Sequence, residues 1–238
     1  KAVNTFYSYK FIGLSPLSGG PVFDDYEERQ HELDGLSKYE TFKKVLTASG
    51  RREPYMSGNL TTNLSYKNIR LSGTFAYSLG AKVRLFQMYR SELIAPESNL
   101  RRELLDRWQN PGDEKHTNIP AVIGRYEPYY FTYNEHWSQT SYYNVQPFAS
   151  SLWNMYDYSD LRVVSGNYLK CNNLMVTYEF GERILSQLRM TRLALSLSGT
   201  NLFTISSKKL KGQTPTQGFT EVSLSDRPTY SFSLSVSF

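Results

Sequence analysis

The chain closes on Thr229-Tyr-Ser-Phe-Ser-Leu-Ser-Val-Ser-Phe238, an unbroken alternation. Tyr230, Phe232, Leu234, Val236 and Phe238 are large and apolar, and every residue between them is Thr or Ser. A period of two puts the two rows on opposite faces of one extended strand. The polar row has no charge and no long side chain, where a surface strand of a water-soluble protein usually carries Lys or Glu. Small hydroxyls opposite a row of aromatic and aliphatic groups suit a strand between lipid and a watery lumen.

Five further segments repeat the pattern. In Ile69–Leu79, the residues Ile69, Leu71, Gly73, Phe75, Tyr77 and Leu79 alternate with Arg70, Ser72, Thr74, Ala76 and Ser78. Leu60, Thr62, Leu64 and Tyr66 precede it, and only Lys67-Asn68 separates the two, which predicts a tight hairpin. Leu174, Val176, Tyr178 and Phe180 form a row expected to pair with Leu193, Leu195, Leu197 and Gly199 through the connection Gly181 to Met190. Thr5, Tyr7, Tyr9 and Phe11 give the least regular strand. The connections alternate in length. Lys67-Asn68 and Gly181 to Met190 are short; Gly13 to Pro54, Lys82 to about Val163, and Thr204 to Pro228 are long. Short turns on one side and long loops on the other are the pattern of a bacterial outer-membrane barrel.

Bulk composition agrees with this reading. No run of roughly 18 apolar residues exists to form a transmembrane helix. Mean hydropathy is −0.50, which does not argue against a barrel, because alternating strands average toward neutral. Aromatic residues make up 15%, and interfacial girdles would use them. The single cysteine, Cys171, forbids an internal disulfide. The net charge of +5 is spread along the chain, so nucleic acid is not an expected partner. Six strands cannot close a cylinder, since roughly eight is the practical minimum. The expected fold is therefore an antiparallel transmembrane β-barrel segment whose remaining strands lie upstream in a longer precursor. Two short helices are expected in the long loops, over Ser98–Trp108 and Ser37–Thr47.

Three stretches carry a family resemblance. They are Arg107-Trp-Gln-Asn-Pro-Gly-Asp-Glu114 with Ile119-Pro120, Val164–Tyr178, and Ser198-Gly-Thr-Asn-Leu-Phe203 continuing to Lys211-Gly-Gln-Thr-Pro215 and the terminal strand. Tyr9–Leu14 and Gly19-Gly-Pro21 match as well. In collinear order over residues 1 to 238 they resemble the C-terminal third of the SusC/RagA-like TonB-dependent transporters. Cys171 stands where that family usually has an apolar residue, and Gln213-Thr-Pro replaces a more usual Asp-Pro. The resemblance implies a plugged barrel of about 22 strands. This chain would supply about its last six, without the plug domain, the TonB box or the early strands. It further implies localisation in the cell outer membrane and energy-coupled import of glycans or peptides. The implied partners are a SusD-like lipoprotein, the TonB complex acting through the plug, the barrel-assembly machinery and outer-membrane lipid.

Candidate contacts follow from residue chemistry. Tyr126, Tyr129, Tyr130, Tyr133, Trp137, Tyr142, Tyr143 and Trp153, with Tyr156 and Tyr158, crowd the loop Arg125–Ser159 among Asn, Gln and Ser. Flat rings with polar handles suit a sugar or peptide ligand, and equally suit packing of the loop on itself or on the lipoprotein. The row Tyr230, Phe232, Leu234, Val236, Phe238 resembles the C-terminal signal read by the barrel-assembly machinery. Asp113 and Glu114 read as a turn with surface carboxylates or a loop anchor to Arg107, not as a calcium site. His31, His116 and His136 lack metal-ligand spacing. No catalytic motif, metal site or cofactor site is expected. The rival reading is a soluble all-β carbohydrate-binding module, which requires Leu71, Phe75, Leu195 and Leu197 to face a protein core. A secreted hydrolase lacks a carboxylate pair in recognisable context.

Overall fold

The computed structural model describes residues 3–24, 32, 36–88, 101–122, 152–216 and 227–238. They divide into two units. A sheet unit takes its residues from Glu53–Lys82, Ser165–Gln217 and Ser223–Phe238, and a core unit from Lys1–Arg52 and Val83–Val164. Both are built mainly from antiparallel strands with few helices, so the chain is all-β.

In the sheet unit, β5 (Met56–Tyr66), β6 (Ile69–Leu79), β9 (Tyr168–Glu179), β10 (Arg192–Ser206) and β11 (Thr229–Ser237) lie side by side in that order. Each neighbouring pair is antiparallel. The expected hairpin forms: Tyr66 faces Ile69, and Lys67 turns the chain at φ 50°. The β9–β10 connection holds a short helix, α3 (Glu182–Leu188). These two short connections share one end of the sheet. The Asn68 side-chain amide donates to the Glu179 carbonyl at 2.7 Å, and the Glu179 N–H returns a bond to the Asn68 carbonyl at 2.8 Å. The alternation of short and long connections therefore holds.

Strand lengths exceed the sequence expectation on the long-loop side, and one irregularity explains why. Thr74 pairs with Asn173 but Phe75 pairs with Cys171, leaving Asn172 as an extra residue of a bulge. On the other flank the register steps from Thr200–Asn173 to Phe203–Cys171, and Asn201 takes a left-handed φ of 52°. The extra residue switches the parity of β9, so its apolar row runs on odd positions beyond the bulge. Alternation counted along the sequence stops there; the ladder continues to Tyr168–Ser206.

The sixth expected strand belongs elsewhere. Thr5–Phe11 breaks into β1 (Thr5–Ser8) and β2 (Phe11–Leu14) in the core unit. There β1 pairs with β4 (Thr47–Arg51), and β2 with β3 (Pro21–Phe23). The break falls at Tyr9, whose ring is buried with Phe23, Val45, Met88, Leu104, Met155 and Tyr156. Packing against residues distant in sequence overrides the local alternation. A further pair, β7 (Lys82–Arg84) with β8 (Val163–Ser165), and the helix α2 (Leu152–Asp157) complete the regular elements beside α1.

Helix α1 (Lys38–Val45) falls within the expected Ser37–Thr47. It opens on a reciprocal cap: Ser37 N–H donates to Glu40 Oε2 at 3.0 Å and Glu40 N–H to Ser37 Oγ at 3.4 Å. The expected Ser98–Trp108 helix is corrected to a 3-10 turn over Arg102–Asp106, among the described residues. With three residues per turn Leu104 and Leu105 point about 120° apart, and the turn ends before Trp108. Leu104 and Trp108 are buried, and Leu105 is exposed.

Candidate functional site

Registry turns the separate alternations into rows that cross the sheet. One row runs Leu64, Leu71, Val176, Leu197, Phe232; the next runs Tyr66, Ile69, Tyr178, Leu195, Leu234. A third runs Thr62, Gly73, Leu174, Gly199, Tyr230. In this row Gly73 leaves room for its neighbour, since a Cβ there would lie 3.1 Å from Leu174 Cδ1. Beyond the bulge, Cys171 sits between Phe75 and Phe203 and is fully buried by them. Every row presents the same face.

Among the described residues of the unit, that face is left uncovered. Leu64 is 60% exposed, Leu197 57% and Phe232 68%. A soluble sandwich would need a second layer over these side chains, and none of the described residues of the unit supplies it. An exposed apolar surface of this size marks a lipid or partner contact. The strand lengths fit the first: a bilayer-crossing strand needs ~9–11 residues, and β5, β6 and β11 have 11, 11 and 9.

The opposite face is small and hydroxylated. Ser72, Thr74, Thr177, Ser196, Ser198, Ser231, Ser233 and Ser235 lie there, with Thr177 Oγ1 and Ser196 Oγ hydrogen-bonded at 2.9 Å. Toward the short-turn end it carries Arg70 and Arg192, whose Nη2 meets Glu179 Oε1 at 3.2 Å, and toward the other end Lys170, opposite Ala76. This face is wettable. Tyr230, Phe232, Leu234, Val236 and Phe238 all project from β11, an outer strand of the sheet, into exposed positions.

The aromatic loop fares differently. Tyr126, Tyr129, Tyr130, Tyr133, Trp137, Tyr142 and Tyr143 lie outside the described residues. Trp153 falls in α2, its side chain likewise outside them. Tyr156 is buried in the core cluster, where burial pushes its phenol pKa upward, so it is a packing residue. Tyr158 is exposed with the Arg84 guanidinium 5.3 Å from its ring centroid.

The core unit also holds a buried polar cluster that no sequence pattern announces. Arg84 donates to Ser8 Oγ at 2.8 Å and to the carbonyls of Tyr7, Asp157 and Ser159. Loss of hydration pushes its pKa down to about 10, so it stays charged at neutral pH. Arg162 Nη1 pairs with Glu103 Oε2 at 3.1 Å. The Asp157 carboxylate accepts from the Met88 N–H at 3.0 Å and lies 3.7 Å from Arg162 Nε. These residues are scattered from position 8 to 162, so no spacing rule could have gathered them.

Asp113 and Glu114 form a turn. Asp113 accepts from the N–H groups of Asn110 and Gln109 at 2.9 and 3.0 Å, which holds its carboxyl below the usual range. Glu114 accepts from Gly112 N–H and from Trp108 Nε1. The anchor is thus Trp108; Arg107 donates instead to the Leu104 carbonyl. Trp108 lies flat on Gly19, whose φ of 66° and absent side chain both matter: a Cβ would fall 2.3 Å from the ring. Bonds from Trp108 N–H to Ile119 O and from Ala121 N–H to Gly19 O strap this contact. Three stretches singled out in the sequence, around Gly19, Arg107–Glu114 and Ile119-Pro120, therefore meet in one knot.

No known family profile matches the chain, and no curated protein does. Solved structures do match. The RagAB peptide importer in its open-open state superimposes with a TM-score of 0.61 at 16% identity, over 99% of this chain and 23% of that one. A RagAB peptide transporter structure gives 0.60 at 17% identity, over 98% and 22%. The importer in its closed-closed state gives 0.59 at 16%, over 98% and 23%. The chain thus has the fold of one part of such an importer chain, and spans less than a quarter of its length.

Proposed function

We propose that this chain is a stretch of wall and outer loops in a SusC/RagA-like, TonB-dependent outer-membrane importer. One observation carries the reading: a five-stranded sheet whose apolar rows are exposed on one face while hydroxyls line the other. In a bilayer the exposed rows meet acyl chains, and the Ser/Thr face borders the lumen. The lumenal hydroxyls keep the passage narrow-walled and wettable. A plug moved by TonB would gate it, and a SusD-like lipoprotein would deliver glycan or peptide cargo from outside. The solved neighbours are peptide importers, which makes oligopeptides the first cargo to try. Tyr126, Tyr129, Tyr130, Tyr133, Trp137, Tyr142, Tyr143 and Trp153 are candidates for the ligand or lipoprotein contact. Tyr230, Phe232, Leu234, Val236 and Phe238 are the proposed signal for the assembly machinery.

Fractionation tests the wall. The intact protein is expected to stay in membranes through an alkaline wash and to leave them only with detergent. Recovery as a detergent-free aqueous monomer would overturn the reading. Uptake tests the transport step: cells lacking the protein should lose TonB-dependent accumulation of labelled oligopeptides or glycans.

A further inference from the structure

We infer that the short-turn end of the sheet, built around α3, is a docking surface for anionic phospholipid headgroups. The inference rests on the membrane reading above and adds a lipid preference to it. Helix α3 is pinned in place rather than loose. Phe180 N–H donates to Leu193 O, and Thr191 N–H to Ser237 O, which tie its two ends to β10 and β11. Arg189 closes it at φ 52°, with Met190 N–H reaching back to Leu185 O at 2.9 Å.

Two independent features of the pinned helix point the same way. Ile184 and Leu188, one turn apart, form an apolar stripe that is 38% and 49% exposed. At the same end of the sheet Tyr66, Tyr178 and Phe238 are exposed as well. The turns at this end carry Lys67, Arg183 and Arg189 against Glu182, while Arg70, Arg192 and Glu179 belong to the hydroxyl face. Arg192 is engaged with Glu179. Lys67, Arg183 and Arg189 join no ion pair among the described residues. Lys67 instead holds its ammonium 5.4 Å from the Tyr66 ring centroid. Exposed Leu and Ile beside unpaired cations are the chemistry of a segment lying in a headgroup layer, and phosphate-bearing lipids with net negative charge complete it. A protein partner would have to match both features. A bilayer edge already lies there if the strand rows face lipid.

Brominated lipids separate the possibilities. Ile184→Trp and Leu197→Trp are made singly in the intact protein, which is reconstituted in phosphatidylcholine vesicles containing brominated phosphatidylglycerol or brominated phosphatidylcholine at equal mole fraction. Quenching is read as the difference from the unsubstituted protein. At position 184 the anionic lipid should quench roughly two-fold more than the zwitterionic one. That preference should vanish in 0.5 M salt, as surface electrostatics is screened at ~3–4 Å in strong salt. It should vanish too in Lys67→Gln/Arg183→Gln/Arg189→Asn. Leu197→Trp should be quenched equally by both lipids. Quenching at 197 but none at 184, or equal quenching at 184 by both lipids, overturns the headgroup site and leaves the barrel wall standing. No quenching at either position removes the membrane reading and the inference with it.

Discussion

The two units put the same kinds of side chain in opposite places. In the core unit, Leu104, Met155 and Tyr9 turn inward, and the charges of Arg84, Asp157 and Arg162 are buried but matched. In the sheet unit, Leu197 and Phe232 turn outward, while Ser and Thr fill the other face. The first arrangement satisfies water as solvent. The second satisfies it only on the hydroxyl side, and leaves an apolar surface open on the other. Burial by itself is therefore a poor guide to what matters in this chain; the solvent expected at each surface decides it.

The contrast can be broken most forcefully in the core unit. Asp157→Ala strips a buried carboxylate from the Met88 N–H and the Arg162 guanidinium, and should lower stability by ~3–5 kcal/mol. Urea unfolding read by tryptophan fluorescence measures it, and the loss should be the same in detergent and in lipid. In the sheet unit, Leu197→Arg should cost ~2–4 kcal/mol when the protein is refolded into vesicles. Ser198→Arg, on the other face, should be far milder. Equal penalties at 197 and 198 would erase the distinction between the units. Next comes Gly19→Ala, where a left-handed φ and the Trp108 ring both resist a side chain. Its cost should be at least ~1 kcal/mol, seen as a lower Tm and altered Trp108 fluorescence.

The smallest effect is expected at Asp113. Its anion is favoured by the N–H groups of Asn110 and Gln109, so its contribution is complete above the unfolded carboxyl value of ~4. It drains away as pH drops through the lower folded value. Asp113→Asn should flatten that part of the acid limb of the stability curve, checked by unfolding at pH 2 to 5. An unchanged acid limb would mean the turn is held by Trp108 and Glu114 without it.

Much of the sheet was legible because its rule is local. Ile69–Leu79 and the terminal strand declare their faces residue by residue, and Lys67-Asn68 leaves room for one kind of connection only. Legibility ended where a rule stopped being local. The bulge at Asn172 reverses parity in β9, so its first half, Tyr168–Asn173, hid from a count of alternating residues. Tyr9 looked like another outward ring because its partners, Phe23 and Tyr156, are far along the chain. Over Ser98–Trp108 a helical period does not survive, because the 3-10 turn stops at Asp106 and leaves Leu105 exposed beside the buried Leu104. Of the candidate site, the terminal row was readable as a face, whereas the rings from Tyr126 to Tyr143 lie outside the described residues.

Among the described residues, β5 and β11 are each paired along one flank alone. Peptide groups left without mates in oil are costly, and in water they are adhesive. This chain made by itself would be expected to recruit further copies margin to margin, growing ribbons in place of a monodisperse product. Purification schemes should accordingly supply mates that can zip onto both selvedges.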